Sequence, residues 1–531
     1  MKKKSVLCLL LATILATTGL LSGCGDKKQA SSENEGTTLT YWVGMDANLA
    51  TRVQSYNDVA MYKQREKDSG IHIEFIHPAI GQEAEQFNLL LASNDLPDII
   101  EYEWHKYPGG PQAAIEDGII IPLNDYLEYA PNFKKALTGD SDLAEVYERA
   151  STTDDGKYYG FTTLNTGEYR VFGGPCIRRD WLEDLGLEMP ETIDEWTEVL
   201  TAFKEKKNAK VPLTGTADTL CLGGNVSTFS GAFGVGNRWY VDGDKVMYGP
   251  MQDGYKEYLT LLNKWYKEGL LDKDITSNKS NLVDARITNG ESGALVNGYI
   301  GGSIGRYLKQ KETEEPSYDL VGAPYPVKNK GDVNQFAYIE SDVNSARTLA
   351  ITTACKNPEK AIAWADYWYG KEGYMLLNFG VEGDSYTMVD GSPVYTDKIL
   401  KNSENLSVNE ALLLNCRATS PAPGFKQAPE YLQQYYEYDQ QNETLNLWTA
   451  NVAGSRKTTL PSLNSTSEEM DIISSIKADL STYVNECIWN FVSGKTSLDK
   501  YDEFREELVK TFRVEEYRDV LQKQYDRYIN K

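Results

Sequence analysis

The sequence predicts an α/β protein of more than one domain, and three observations carry that expectation. The chain has 531 residues, more than a single hydrophobic core accommodates. Between residues 39 and 100, strand-like and helix-like patterns alternate as β-α-β-α-β, the order that gives a parallel sheet with helices on both faces. Residues 286–308 read as a strand-to-helix junction, the place where open α/β sheets bind ligands. There a polar turn, Asn289-Gly290-Glu291-Ser292-Gly293, feeds the apolar run Ala294-Leu295-Val296. Asn297-Gly298-Tyr299 is expected to break the strand and turn an aromatic ring outward, and Gly301-Gly302-Ser303 to open a helix. A ring face beside free backbone N–H groups suits a polyhydroxylated ligand.

Each element has a local reason. Residues 39–43 form a first strand, and 71–76 alternate apolar and polar as a second. Phe87, Leu90 and Leu91 recur at helical spacing within 82–93, and Asp95-Leu96-Pro97-Asp98 turns the chain into the buried strand beginning Ile99-Ile100. Residues 158–162 and 171–177 read as further strands. Thr192 and Glu195 form a capping box for a helix that buries Trp196, Val199, Leu200 and Phe203. Residues 239–248 read as a hairpin turning at Asp242-Gly243, and 255–267 as an amphipathic helix. A strand is expected at 347–351, followed by a helix that starts at Asn357-Pro358 and carries Ile362, Trp364, Ala365, Trp368 and Tyr369. Asp390-Gly391 signals another hairpin. Residues 444–461 look polar and loop-like. A long helix over 467–492 follows, with Ile473, Ile476, Leu480, Val484, Ile488 and Phe491 on one stripe and Gly494 at its end.

Four segments also carry a resemblance. They are Leu96-Pro97-Asp98-Ile99-Ile100, the block from Arg178-Arg179-Asp180-Trp181-Leu182 to Glu195-Trp196, the stretch from Gly290-Glu291 to Tyr299, and Thr459-Leu460-Pro461-Ser462-Leu463 with Phe491-Val492-Ser493-Gly494-Lys495. Together they resemble the family 1 extracellular solute-binding proteins, sugar receptors of ABC importers, in their long Gram-positive lipoprotein subgroup. The resemblance runs unevenly from about residue 39 onward. It implies a two-lobed fold of the type II periplasmic-binding-protein kind, with a hinge and an inter-lobe cleft. Residues 39–167 plus 346–400 would form one lobe and 168–345 plus 401–531 the other, with crossovers near 165–170, 342–347 and 386–400. It also implies that Tyr299 stacks on a sugar ring, with Trp104 a second stacking candidate. Trp239, just before the hairpin, is a third ring candidate, and Glu103, Glu168, Arg170 and Asn297 are candidates for the hydroxyl groups. For each ring the competing reading is plain packing. Implied partners are an oligosaccharide and ABC permease subunits, engaging the cytoplasmic ATPase indirectly. The receptor is expected to be a monomer without a cofactor.

The first residues fit an exported lipoprotein. Lys2, Lys3 and Lys4 precede an apolar stretch at 6–21 that is too short to span a membrane. Leu21-Ser22-Gly23-Cys24 resembles a lipobox, which implies removal of 1–23 and a diacylglycerol on Cys24; an ordinary signal peptide followed by a buried cysteine is the alternative. Two acyl chains anchor stably where one is marginal, and the polar stretch 24–38 reads as a flexible tether. The formal charge of −24 disfavours nucleic acid, because no basic cluster is available to neutralise phosphates. Cys176, Cys221, Cys355, Cys416 and Cys487 are odd in number and widely spaced, so they suggest neither a disulfide framework nor a zinc site.

Catalytic readings find little support. Gly301-Gly302-Ser303-Ile304-Gly305 satisfies G-x-S-x-G, yet that motif needs a later histidine, and His72, His77 and His105 all come earlier. Ser303 is expected to cap a helix instead. Gly494-Lys495-Thr496 lacks the first glycine of a Walker loop, where Trp489 stands. Asp242 and Asp244 lack the rest of a calcium loop. A glycosidase needs only two carboxylates, and Glu101, Glu103, Glu168 and Glu291 are the ones to inspect. Two alternatives to a sugar receptor therefore stay open, a lipoprotein glycosidase and a receptor for peptides or other small polar solutes.

Overall fold

A computed structural model describes residues 36–531, apart from 167–169, 224–225, 405 and 427–428. Cys24, the tether up to residue 35 and Glu168 lie outside the described residues. Two separate sheets organise the chain into two lobes. The first is six-stranded, in the order Gly424–Lys426, Phe161–Asn165, Val343–Ile351, Ile99–Tyr102, Thr37–Val43, Ile71–Ile76. All neighbours are parallel except Val343–Ile351, which runs antiparallel to both of its partners. The β-α-β-α-β order over 39–100 accounts for the parallel half, with helices Ala60–Ser69 and Glu83–Ser93 as crossovers.

The second sheet runs Leu320–Gly322, Val171–Arg178, Ala294–Tyr299, Leu213–Thr214, and Tyr338–Ile339 also pairs with Val171–Arg178. One side is covered by the capped helix Ile193–Lys206, by Asp253–Glu268 and by the 27-residue helix Ser467–Ser493. The last of these starts at a Thr466–Glu469 capping box and stops at Gly494 in the left-handed region (φ 76°). Ile476, Leu480, Val484, Ile488 and Phe491 are buried along it, at the helical spacing legible in the sequence.

Three junctions join the lobes. The chain leaves the first sheet after Asn165 and enters the second at Val171; it returns between Ile339 and Val343. These two crossings are tied together. Asn165 Nδ2 donates to the Ser341 carbonyl (2.7 Å), the Glu340 N–H to the Arg170 carbonyl (2.9 Å), and the fully buried Arg170 guanidinium pairs with Asp342. The third crossing is not at 386–400. There Tyr386–Val389 and Ser392–Tyr395 form a hairpin whose Tyr386 and Tyr395 rings pack on Phe379 of the first lobe. Gly424–Lys426 still belongs to the first sheet, and only helix Asp439–Thr449 docks on the second, where Trp448 Nε1 donates to the Ala323 carbonyl (2.8 Å). The hairpin chemistry was legible, but which lobe buries the two tyrosines is a long-range matter.

Two further expectations change. Residues 444–461 are largely helical, in Asp439–Thr449 and Val452–Thr458, because Leu445, Trp448 and Val452 find a buried face against the second sheet. The strand also continues through Asn297-Gly298 to Tyr299 rather than breaking, since Gly298 and Tyr299 face Gly174 and Gly173. Added Cβ atoms would lie 2.7 Å from Cys176 Sγ at Gly298 and 2.8 Å from the Trp448 ring at Gly174. The glycines permit this close pairing.

The lobes also meet at a polar contact away from the crossings. Asp154, just after helix Ala144–Ser151 of the first lobe, accepts from Arg527 Nε (2.6 Å) and Asn464 Nδ2 (3.1 Å) and lies 3.3 Å from Lys531 Nζ. Burial opposes its charge, but the hydrogen bonds from Asn464 and Arg527 outweigh that and hold its carboxyl below the ordinary range. Among the described residues no helix is long and apolar enough to cross a membrane, and no cluster of three or more His, Cys, Asp or Glu could hold a metal ion.

Candidate functional site

A cavity of about 430 Å³ opens between the lobes beside the two tied crossings. The first lobe contributes Glu103, just beyond strand Ile99–Tyr102, Asn165 at the end of its strand, and 343–346. The second lobe contributes Trp239 and Tyr240 from a hairpin that turns at Gly243. The crossing segment supplies Phe336 to Ser341, and the stretch after helix Val452–Thr458 supplies Thr459 to Ser462. This size lies within the range of small-ligand sites, and its place beyond the carboxyl ends of parallel strands is where α/β sheets gather their loops.

The rings are held from behind. Trp239, half-buried, packs on Tyr248 (4.4 Å between centroids) and Tyr517 (4.9 Å), and Tyr240 meets Phe336 edge-on at 5.1 Å. Tyr338 meets Tyr299 edge-on at 5.9 Å. Burial, with the charge of Asp242 next, pushes the Tyr240 phenol up to about 12, and burial beside Tyr299 does the same for Tyr338. Both stay protonated and can donate. Around them stand the polar side chains of Asn165, Asn344, Ser227, Ser345, Thr458 and Ser462, with two carboxylates, Glu103 and Glu340.

The predicted residues divide sharply. Glu103 and Trp239 line the cavity. Tyr299 is 43% exposed and joins the cavity only through Tyr338. Asn297 lies beside it: an added Cβ on Gly173 would meet Asn297 Nδ2 at 3.2 Å and the Tyr299 ring at 3.1 Å. Both polar atoms of the Asn297 amide are buried without a hydrogen-bond partner among the described residues, so this group has capacity left for a ligand.

Trp104 is corrected. It is 0% exposed, enclosed with Trp42, Phe87, Ile100 and Tyr107, and its Nε1–H donates to the Thr348 carbonyl (3.1 Å). It therefore has no face to offer a sugar. Arg170 is corrected too, because it is fully buried and its two terminal nitrogens are held by Asp342 and the Ser341 carbonyl (3.2 Å), so that it ties the crossings together rather than facing the cavity. Ser303 accepts a hydrogen bond from the Tyr299 N–H (3.1 Å) inside a wide turn in which the Arg306 N–H reaches back to the Gly301 carbonyl, and helix Arg306–Lys311 begins only after it. Of the paired-acid candidates, Glu101 is sealed in a two-pronged pair with Arg417 (2.9 and 3.2 Å), and Glu291 pairs with Lys210 on the surface.

Sequence reasoning missed Tyr240, Phe336, Tyr338 and Glu340. The one available signal was the short apolar and aromatic run Phe336-Ala337-Tyr338-Ile339, which suits a strand but does not say which surface it faces.

With this geometry in hand, comparison with known proteins is decisive for the family. The profile described as bacterial extracellular solute-binding protein matches residues 47–375, more than half of the chain. The chain belongs to that family. Among its relatives is the fructooligosaccharide ABC transporter substrate-binding protein FusA of Streptococcus pneumoniae serotype 4, 26% identical over 97% of both chains. Lipoprotein LipO of Bacillus subtilis is 28% identical over 66% of this chain and 68% of its own. In three dimensions this solute-binding protein is similar to FusA in complex with kestose, with a TM-score of 0.68, 24% identity and coverage of 93% and 100% of the two chains. The two-lobed α/β architecture is thus a property of the family.

Proposed function

We propose that the protein is an extracellular receptor that captures an oligosaccharide in the cavity between its lobes and delivers it to an ABC importer. The observation that carries this reading is the composition of the cavity. Rings of Trp239, Tyr240, Phe336 and Tyr338 stand beside amides, hydroxyls and two carboxylates, matching the alternating C–H faces and hydroxyl rims of a pyranose or furanose chain. FusA, named for fructooligosaccharides, supports the ligand class.

The sugar rests on Trp239 and Tyr240, with Glu103, Glu340 and Asn165 accepting from or donating to its hydroxyls. Asn297 and Tyr299, adjoining through Tyr338, extend the site for a longer chain. Micromolar affinity corresponds to about −8 kcal/mol, within reach of two or three rings and several charge-assisted hydrogen bonds. Rotation about the tied crossings closes the lobes and creates the surface a permease recognises. The protein works as a monomer and leaves the glycan intact.

The anchor is part of the same proposal. Cys24 carries a diacylglycerol at the outer face of the cell membrane, supported by the lipobox residues and by the relative LipO. Replacing Cys24→Ala is expected to release the protein into the medium, read by fractionation and by mass spectrometry of the lipidated peptide. For the ligand, thermal-shift and calorimetric titration of the purified protein against an oligosaccharide panel should give saturable binding with no new reducing ends. Progressive cleavage would replace the receptor reading with a glycosidase, and binding of peptides alone would remove the sugar.

A further inference from the structure

We infer that helix Val514–Ile529, none of whose residues lines the cavity, positions the ring of Trp239 for its sugar through Tyr517 and Gln522. The inference rests on the oligosaccharide-receptor reading. Its basis is the weakness of the element that carries the ring. Trp239 and Tyr240 stand on strand Trp239–Asp242, which pairs antiparallel with Lys245–Tyr248. Among the described residues these two strands form a sheet of their own, with no third strand beside them. A two-stranded hairpin is marginally stable in water unless something packs on it. Two four-residue strands therefore hold an indole at a fixed angle only with outside support.

The helix supplies that support at three points. The Tyr517 ring packs 4.9 Å from that of Trp239, which Tyr248 already backs at 4.4 Å. Gln522 uses both ends of its amide: Oε1 accepts from the Val246 N–H and Nε2 donates to the Asp244 carbonyl, each at 2.7 Å. Tyr525 donates to the Gly243 carbonyl at the turn (3.4 Å). The helix is itself well fixed. Val514, Tyr517, Val520 and Leu521 are buried along it, and Arg527 forks onto Glu469 of helix Ser467–Ser493 at 2.8 and 2.7 Å. Tyr240 has its own brace in Phe336, edge-on at 5.1 Å, so Trp239 is the ring that depends most on the helix.

The consequence for binding is preorganisation. A ring already held at its working angle gives up little freedom when a sugar stacks on it, so more of the contact appears as affinity. An indole free to turn on an unsupported hairpin forfeits part of that gain. Tyr517 and Gln522 are thus positioning residues, which touch the ring or the hairpin that bears it and stand outside the cavity.

The experiment is a double-mutant cycle in the full-length protein. It is read by calorimetric titration with an oligosaccharide that binds in a panel of fructo-, gluco-, manno- and xylo-oligosaccharides. Tyr517→Ala should weaken binding by about threefold to tenfold, and Tyr517→Phe, which keeps the ring, by less than about twofold. In the Trp239→Ala background the Tyr517→Ala change should cost less than about twofold, because the ring it positions is gone. A general loss of structure weakens binding in both backgrounds alike and does not mimic that pattern. Gln522→Ala, which spares the buried face of the helix, should weaken binding by about twofold to fivefold, and that loss should likewise vanish without Trp239. A folded Tyr517→Ala protein that binds like its parent overturns the inference; where that variant does not fold, a Gln522→Ala protein that binds like its parent does so. A loss of equal size in the Trp239→Ala background overturns it too, as does a Trp239→Ala protein that binds like the parent. Each of these leaves the receptor reading intact. Failure of every saccharide to bind the parent protein overturns the receptor reading, and this inference with it.

Discussion

Two residue pairs, almost adjacent in sequence or alike in chemistry, end up with one member inside a lobe and the other on the cleft wall. Glu101 and Glu103 lie two positions apart. Glu101 is fully enclosed, held by two nitrogens of Arg417 and by the Tyr41 hydroxyl, with the Arg417 guanidinium stacked 5.0 Å from the centre of the Tyr56 ring. Glu103 sits past the end of the strand, one-third exposed, on the cleft wall. Likewise Trp104 is sealed beneath Phe87, whereas Trp239 lines the cavity with Tyr248 and Tyr517 at its back. The buried set holds a lobe together and the cleft set lines the cavity. The difference teaches that residue type and proximity to a strand end nominate a site, while only the neighbours decide the face.

Substitutions should separate the two sets by what they damage. The largest effect is expected at the buried ion pair. Arg417→Met leaves Glu101 charged, enclosed and without its cation, and should lower unfolding free energy by roughly 3–5 kcal/mol, read from urea denaturation. Trp104→Ala removes an enclosed indole and its hydrogen bond to Thr348, at a comparable cost of roughly 3–5 kcal/mol. A Trp104→Ala protein that keeps its stability but loses sugar binding would break the comparison outright.

Smaller changes belong to the cleft. Trp239→Ala should weaken oligosaccharide binding by about tenfold, equivalent to about 1.4 kcal/mol, in calorimetric titration. Its stability should fall by less than that of the Trp104 variant. Equal effects of the two tryptophans on affinity would erase the distinction drawn here.

A pH effect comes next, at the polar contact between the lobes. His105 follows Trp104 in the same turn, and burial, with the charge of Lys531 second, lowers its pKa to about 4. Lys531, Asp154 and Tyr159 are the titratable groups beside it. Between about pH 6.5 and 4 the unfolded chain binds a proton there that the folded protein refuses. The contribution to stability is therefore complete above about pH 6.5 and is lost as pH falls toward 4. His105→Gln should flatten that part of a stability-versus-pH curve. Last in size, Arg52→Ala, which removes an exposed pair with Glu410, should change stability by roughly 0–1 kcal/mol.

Much of the local structure was legible. The capping box at Thr192 and Glu195, the Asp242-Gly243 hairpin, the stripe from Ile476 to Phe491 and the alternating strands each depend on contacts within a few residues, where spacing carries the information. The candidate site was legible only in part. Glu103 and Trp239, singled out from the sequence, do line the cavity, but Tyr338 and Glu340 come from a crossing segment whose importance no local pattern announces.

The sequence by itself therefore determined the α/β class, most helix and strand starts and the family resemblance, because caps, turns and periodicity act over short range. Only tertiary structure decided that Trp104 turns inward, that Arg170 clamps Asp342, and that the chain recrosses after Lys426 rather than near residue 400. Those outcomes depend on partners far along the chain, 244 residues away in the bond from Trp104 to Thr348. Burial is a property of whatever the fold brings alongside a residue, and that information is not present in the residue's own neighbourhood in the chain.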